Sequence, residues 1–130
     1  GSPADKAKGT YLQSNLASTA VLNYAGKTSL AKVPYVLKQA DVVIANETSI
    51  PHIAAAVGTP CICPSNGNHY KRFHPYPADL KTRNWYIYPP HFHPSNPIFY
   101  YYQSSDYAIQ SVRIVDVTKH LKEVLTANEI

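Results

Sequence analysis

Four consecutive residues carry the densest chemistry in this chain: Asn46, Glu47, Thr48 and Ser49. They stand between a β-branched run, Asp41 to Ala45, and a stretch of small apolar residues from Pro51 to Val57. A polar elbow between a buried strand and a helix is suited to holding an anion. The hydroxyls of Thr48 and Ser49 can cap the helix, whose leading N–H groups and positive dipole end attract phosphate. Glu47 can accept hydrogen bonds from ribose hydroxyls, as acidic residues do in nucleotide sites on parallel sheets. The run Ala54-Ala55-Ala56 lets the helix lie close to the sheet. The same residues also fit a plainer role, in which Thr48 and Ser49 only cap the helix and His52 is a satisfied residue of its first turn.

The other candidate groups are weaker. His69, His74, His91 and His93 suggest a metal, and His91-Phe92-His93 offers two imidazoles to one ion. No Cys or carboxylate stands beside them at ligand spacing, so no metal site is expected. Cys61 and Cys63 are one residue apart. On a strand they would share a face with Cα atoms about 6.5 Å apart, near the limit for a bridge, and are expected to be reduced, small, buried hydrophobes. Lys71-Arg72 fits either a phosphate or solvent.

The hydrophobic pattern outlines the elements that must position these groups. Ser2-Pro3-Ala4-Asp5 reads as a capped helix start, with Ala4, Ala7, Tyr11 and Leu12 on one face, an end before Ser18, and Gly9 as a costly interior residue. Thr19 to Tyr24, Asp41 to Ala45 and Pro60 to Pro64 read as strands buried on both faces, which belong to parallel sheets. Between them lie a helix bearing Leu30, Val33, Val36 and Leu37, bent or delayed by Pro34, and the helix from Pro51 to Val57 stopped by Gly58. Asn66 to Asp106, with Tyr86-Ile87-Tyr88 and Tyr100-Tyr101-Tyr102, reads as one long aromatic-rich loop of the kind that carries function. Val112 to Val117 then reads as a fourth strand, followed by a helix bearing Val117, Leu121, Val124 and Leu125.

Length and composition bound the class. A chain of 130 residues is expected to form a single α/β domain over 1–130. With 45% apolar and 15% charged residues it is globular rather than disordered. A net charge of +4 favours anionic partners without choosing among them. Positive charge with 11 Tyr admits a single-strand nucleic-acid binder, but the Tyr residues cluster in a Pro-rich loop instead of alternating with Lys and Arg along strands, so no nucleic acid is expected. The absence of a long apolar run excludes a transmembrane helix and points to a cytoplasmic protein, free or peripheral at the inner membrane.

Three blocks then resemble a known family. Asn46 to Pro60 is similar to the segment Asn-Asp/Glu-Thr-Gly/Ser-x-x-His-(Ile/Leu)-Ala-Ala-Ala-x-Gly-x-Pro of glycosyltransferase family 9, the ADP-heptose:lipopolysaccharide heptosyltransferases. Leu22 to Leu30 resembles its Leu-x-Gly-Lys-x-Ser-Leu segment, and Gly67 to Pro77 the Gly-His-Tyr-Gly-Arg-Phe-x-Pro-Tyr-Pro of a subgroup. Two positions depart from the pattern: Glu47 stands where the best-known members have Asp, and Ser49 replaces a frequent Gly, which would matter if that position needs positive φ.

The resemblance implies a Rossmann-like parallel sheet with flanking helices, the C-terminal half of a GT-B fold, that binds a nucleotide-diphosphate sugar such as ADP-heptose. It implies that Glu47 holds the ribose, that Thr48 and Ser49 hold the diphosphate, that Ile50 and His52 line the donor, that Thr28 approaches the base, and that Lys27 is donor-binding. Gly67, Asn68 and His69 would form a donor loop. The family's first C-lobe strands and its N-terminal lobe, with the lipid-linked saccharide acceptor and the expected catalytic carboxylate, are not matched, so no catalytic residue is assigned and the chain alone is expected to be inactive. No cofactor is implied. A non-catalytic nucleotide-binding module, or another GT-B enzyme such as a nucleotide-sugar epimerase, fits the same blocks.

Overall fold

The computed structural model describes residues 1–16, 20–93 and 107–127. The chain folds as two compact units, Gly1–Tyr35 and Val36–Ile130.

In the first unit, the Ser2 N–H and hydroxyl both donate to Asp5 Oδ2 at 2.9 Å, which starts a 3-10 turn, Pro3–Asp5, that runs into helix α1, Lys6–Asn15. No residue of α1 is buried, and Tyr11 and Leu12 remain exposed. The expected first strand is absent over residues 20–24, and Thr19 lies outside the described residues. This segment runs along α1 instead: Gln13 Nε2 donates to the Val21 carbonyl at 2.7 Å, and Asn23 Nδ2 to that of Lys6 at 3.1 Å. The Gln13 amide thus takes a carbonyl that a sheet ladder would have used, and the Asn23 amide ties the segment to the start of α1. The contact also accounts for Gly9, where a Cβ would lie 2.4 Å from the Asn23 carboxamide. The unit ends in a 3-10 turn, Leu30–Lys32, and the start of helix α2, Val33–Lys38. Pro34 falls in the first turn of α2, where its missing N–H costs nothing, so it delays the helix and does not bend it.

The second unit holds a three-stranded parallel sheet of β1 (Val43–Ile44), β2 (Cys61–Pro64) and β3 (Asn84–Ile87), in that order. Helix α3, Ser49–Val57, makes the crossover from β1 to β2, and Gly58 ends it in the left-handed conformation at φ 79°. On its face Val43, Ala54 and Cys61 form a buried cluster, with Leu37, Ala40, Ala45 and Ile50 packed around it. On the other face Ile62, Ile87 and Val124 are buried beneath Val42, Trp85, Val112, Val117 and Leu121. Val117, Leu121 and Val124 of this cluster come from helix α4, Ile114–Ala127.

Two expectations change here. Strand β3 lies inside the segment read as one long loop: Trp85 pairs with Ile62 toward α4, while Tyr86 pairs with Cys63 toward α3. Tyr100-Tyr101-Tyr102 lie outside the described residues. Val112 to Val117 is not a strand. Arg113 donates Nε and Nη2 to Asp116 at 2.8 Å each, bracing the first turn of α4, and Val117, Leu121 and Val124 fall on one helical face over the sheet. Leu125, expected on that face, is 41% exposed.

Cys61 and Cys63 are free and fully buried. Burial pushes their thiols up to about 11 and about 12 respectively, with neighbouring Cys61 and Glu47 adding to the rise at Cys63. Thiolate, the reactive form, therefore accumulates only at strongly alkaline pH. The folded protein is expected to leave a thiol reagent unreacted at pH 8, and to release two thiols once denatured without reductant; rapid reaction in the folded state would contradict the buried assignment.

Candidate functional site

The site is built where all three strands end. Glu47 follows β1, Ser65 directly follows β2 and Tyr88 directly follows β3, so three polar side chains meet at the carboxyl edge of one parallel sheet. That edge is where open α/β sheets bind ligands. The elbow after β1 is shaped by Thr48, whose N–H donates to the Asn46 carbonyl at 2.8 Å and whose Oγ1 accepts from the Ile50 N–H at 3.4 Å. Ser49 opens α3 in ordinary right-handed geometry, since Lys71 and Lys81 alone have positive φ among the described non-glycine residues. Serine in place of glycine therefore introduces no strain. Pro51 has no N–H, so the first turn of α3 offers an anion the Ser49 amide and the loosely held amide of Ile50.

Glu47, Thr48, Ser49, His52, His69 and Phe73 line a cleft of about 440 Å³. One wall is carboxylate and hydroxyl, the other aromatic. His52 Nδ1 lies 2.5 Å from the Tyr76 hydroxyl, and its ring meets Phe73 edge-on at 6.2 Å. The Arg72 guanidinium lies 4.8 Å above the Phe73 ring and His69 lies 5.2 Å from it, which braces this wall from behind.

Behind the cleft the carboxylate of Glu47 is engaged on both oxygens. Oε1 lies 2.8 Å from His74 Nε2, and Oε2 accepts from the Ser65 hydroxyl at 2.5 Å. Ser65 Oγ in turn accepts from the Gly67 N–H at 2.9 Å. His74 is 1% exposed, stacked on Tyr86 at 4.2 Å and 12°, with Nδ1 2.9 Å from the Tyr88 hydroxyl. Burial alone would push the Glu47 carboxyl up. The hydrogen bonds from His74 and Ser65, with the nearby imidazoles of His74 and His69, outweigh it and hold the group below the ordinary carboxylate range. Burial pushes the Tyr86 and Tyr88 hydroxyls well up, so both stay protonated.

Of the residues singled out in the sequence, Glu47, Thr48, Ser49, His52 and His69 meet at the cleft. Ile50 turns to the core cluster instead, beside Val43 and Ala54. Gly67 and Asn68 stand beside the cleft-lining His69, where Gly67 ties the loop to Ser65. Lys27 and Thr28 belong to the first unit, after a turn closed by the Lys27 N–H and the Tyr24 carbonyl at 3.0 Å. His91 and His93 are exposed, and among the described residues no group of three His, Cys, Asp or Glu is arranged to hold a metal ion. Sequence reasoning missed Ser65, Phe73 and Tyr88 and gave His74 no role. The alternation of Tyr86 and Tyr88 with Trp85 and Ile87 was the available signal, since period two marks a strand whose one face points at the site.

Among the described residues, no helix is long and apolar enough to cross a membrane. No curated protein and no solved structure matches the chain. The family model for glycosyltransferase family 9 (heptosyltransferase) matches residues 1–86. The match spans 86 of 130 residues and includes the elbow, α3, the cleft and the Glu47–Ser65–His74 network. With its α/β architecture and a cleft of carboxylate, hydroxyls and aromatic rings at the carboxyl edge of a parallel sheet, this chain belongs to glycosyltransferase family 9.

Proposed function

We propose that the chain is the donor-binding lobe of a GT-B glycosyltransferase that transfers a heptose or related sugar from an ADP-heptose-like donor to a lipopolysaccharide-type acceptor. The observation that carries this reading is the cleft, which combines a carboxylate, two hydroxyls and a helix N-terminus on one wall with aromatic rings on the other. Glu47 accepts ribose hydroxyls. Oε2 accepts from Ser65 and retains a lone pair for a ligand, while Oε1 is buried against His74. Thr48 and Ser49 receive the diphosphate at the start of α3, and His52 and His69 line the sugar. Gly67, Asn68 and His69 form the donor loop. Acceptor binding and the general base are assigned to the other lobe of the GT-B fold.

Calorimetric titration with ADP, set against UDP and GDP, tests the reading. Glu47→Ala is expected to weaken the preferred nucleotide by about 1.5–3 kcal/mol, the scale of hydrogen bonds to a charged group. Unchanged affinity in a folded Glu47→Ala variant would refute the site.

A further inference from the structure

The contact between Glu47 and His74 behind the cleft bears on ligand recognition. Among the described residues Glu47 is the one carboxylate that lines the cleft, and a glutamate side chain has three rotatable bonds before its oxygens. Left alone, such a group would sample several rotamers and would lose that freedom on binding. Here it is held from two directions, by the Ser65 hydroxyl on Oε2 and by His74 Nε2 on Oε1. Nε2 and Oε1 face each other at 2.8 Å, off the line of a well-aligned hydrogen bond, and both are buried with no other partner; an ionised carboxylate only accepts, so the proton is placed on Nε2. Nδ1 is then the nitrogen that meets Tyr88, whose hydroxyl stays protonated and can donate to it at 2.9 Å. The imidazole itself cannot turn: it is 1% exposed and lies flat on Tyr86 at 4.2 Å. The rings of β3 and its continuation thus lock the histidine, and the histidine locks the carboxylate.

We propose that His74 is the positioning residue of this site: it orients the Glu47 carboxylate for a hydroxyl-bearing ligand through its Nε2–H, and never touches that ligand itself. The proposal rests on Glu47 being the ligand's acceptor. Second-sphere partners of this kind fix the tautomer and direction of the groups they support. A merely structural histidine would matter for its stacked ring, whereas a positioning histidine matters for one N–H. Two substitutions separate these. His74→Gln places an amide N–H where Nε2 stood and gives up the ring; His74→Phe keeps a ring for Tyr86 and gives up the donor.

ADP affinity, the Glu47 side-chain carboxyl titration followed by carbon NMR, and the imidazole tautomer in the unsubstituted protein form the test. His74→Gln is expected to bind ADP within about threefold of the parent and His74→Phe about tenfold or more weaker, the scale of one lost charge-assisted hydrogen bond. The Glu47 titration should stay below the ordinary carboxylate range in His74→Gln and rise in His74→Phe. Equal affinities and equal carboxyl titrations in the two variants would overturn the proposal. So would a neutral His74 with its proton on Nδ1, a measurement that stands even if His74→Phe does not fold. If the parent binds no ADP, the proposed function fails, while the carboxyl titrations and the tautomer still decide the role of His74.

Discussion

Ile62→Ala is expected to lower the unfolding free energy of the second unit by about 2–5 kcal/mol, the range for truncating a fully buried isoleucine. Ile62 lies in the central strand, is 0% exposed, and is packed with Ile87 and Val124 against Trp85 and Leu121. A cavity there opens between β2, β3 and α4, and no neighbour can close over it without moving a strand. The loss would be a large share of a typical domain's stability of about 5–15 kcal/mol. Ile44→Ala is the internal control, because Ile44 has the same chemistry but is 52% exposed on the neighbouring strand. It should stay within about 0.5 kcal/mol of the parent. Urea denaturation of both variants checks this, and equal shifts in midpoint would contradict the assigned core.

His74→Leu is expected to cost about 3 kcal/mol at pH 7, because it leaves the Glu47 carboxylate half-buried with one partner fewer and strands the Tyr88 hydroxyl. The pH dependence has a definite sign. Glu47 titrates below its ordinary value of 4.5 in the folded protein, so its contribution is complete above that value and is lost as pH falls through the folded one. In His74→Leu the hydrogen bond that opposed burial is gone, and the carboxyl titrates higher. The stability gap between parent and variant should therefore be widest near neutrality and narrow below pH 4.5. A gap independent of pH would mean that the lost ring packing, and not the contact with Glu47, accounts for the cost.

Much of the scaffold around the cleft was legible in order along the chain. A β-branched run, a polar elbow, an Ala-rich helix and a left-handed glycine follow one another from Val43 to Gly58, and each is set by neighbours a few residues away. Longer-range features were read wrongly where local preference and packing disagreed. Val112 to Val117 is rich in β-branched residues, yet Val117, Leu121 and Val124 bury themselves at helical spacing, and the burial outweighs the propensity. Residues 20–24 look like a strand but find side-chain amides beside them instead of a ladder.

By itself the sequence determined the α/β class, the elbow with its candidate anion-binding residues, and the reduced state of Cys61 and Cys63, because propensities, caps and side-chain spacing on a strand are local properties. The tertiary structure alone decided that β3 completes the sheet, that Ile50 faces the core, and that Glu47 is held by Ser65 and His74. Those partners come from the ends of separate strands and from a loop, and which of them meet depends on register and crossover: pairing β2 with β3 brings Cys63 beside Tyr86, and the ring of Tyr86 then places the imidazole of His74 against the carboxylate.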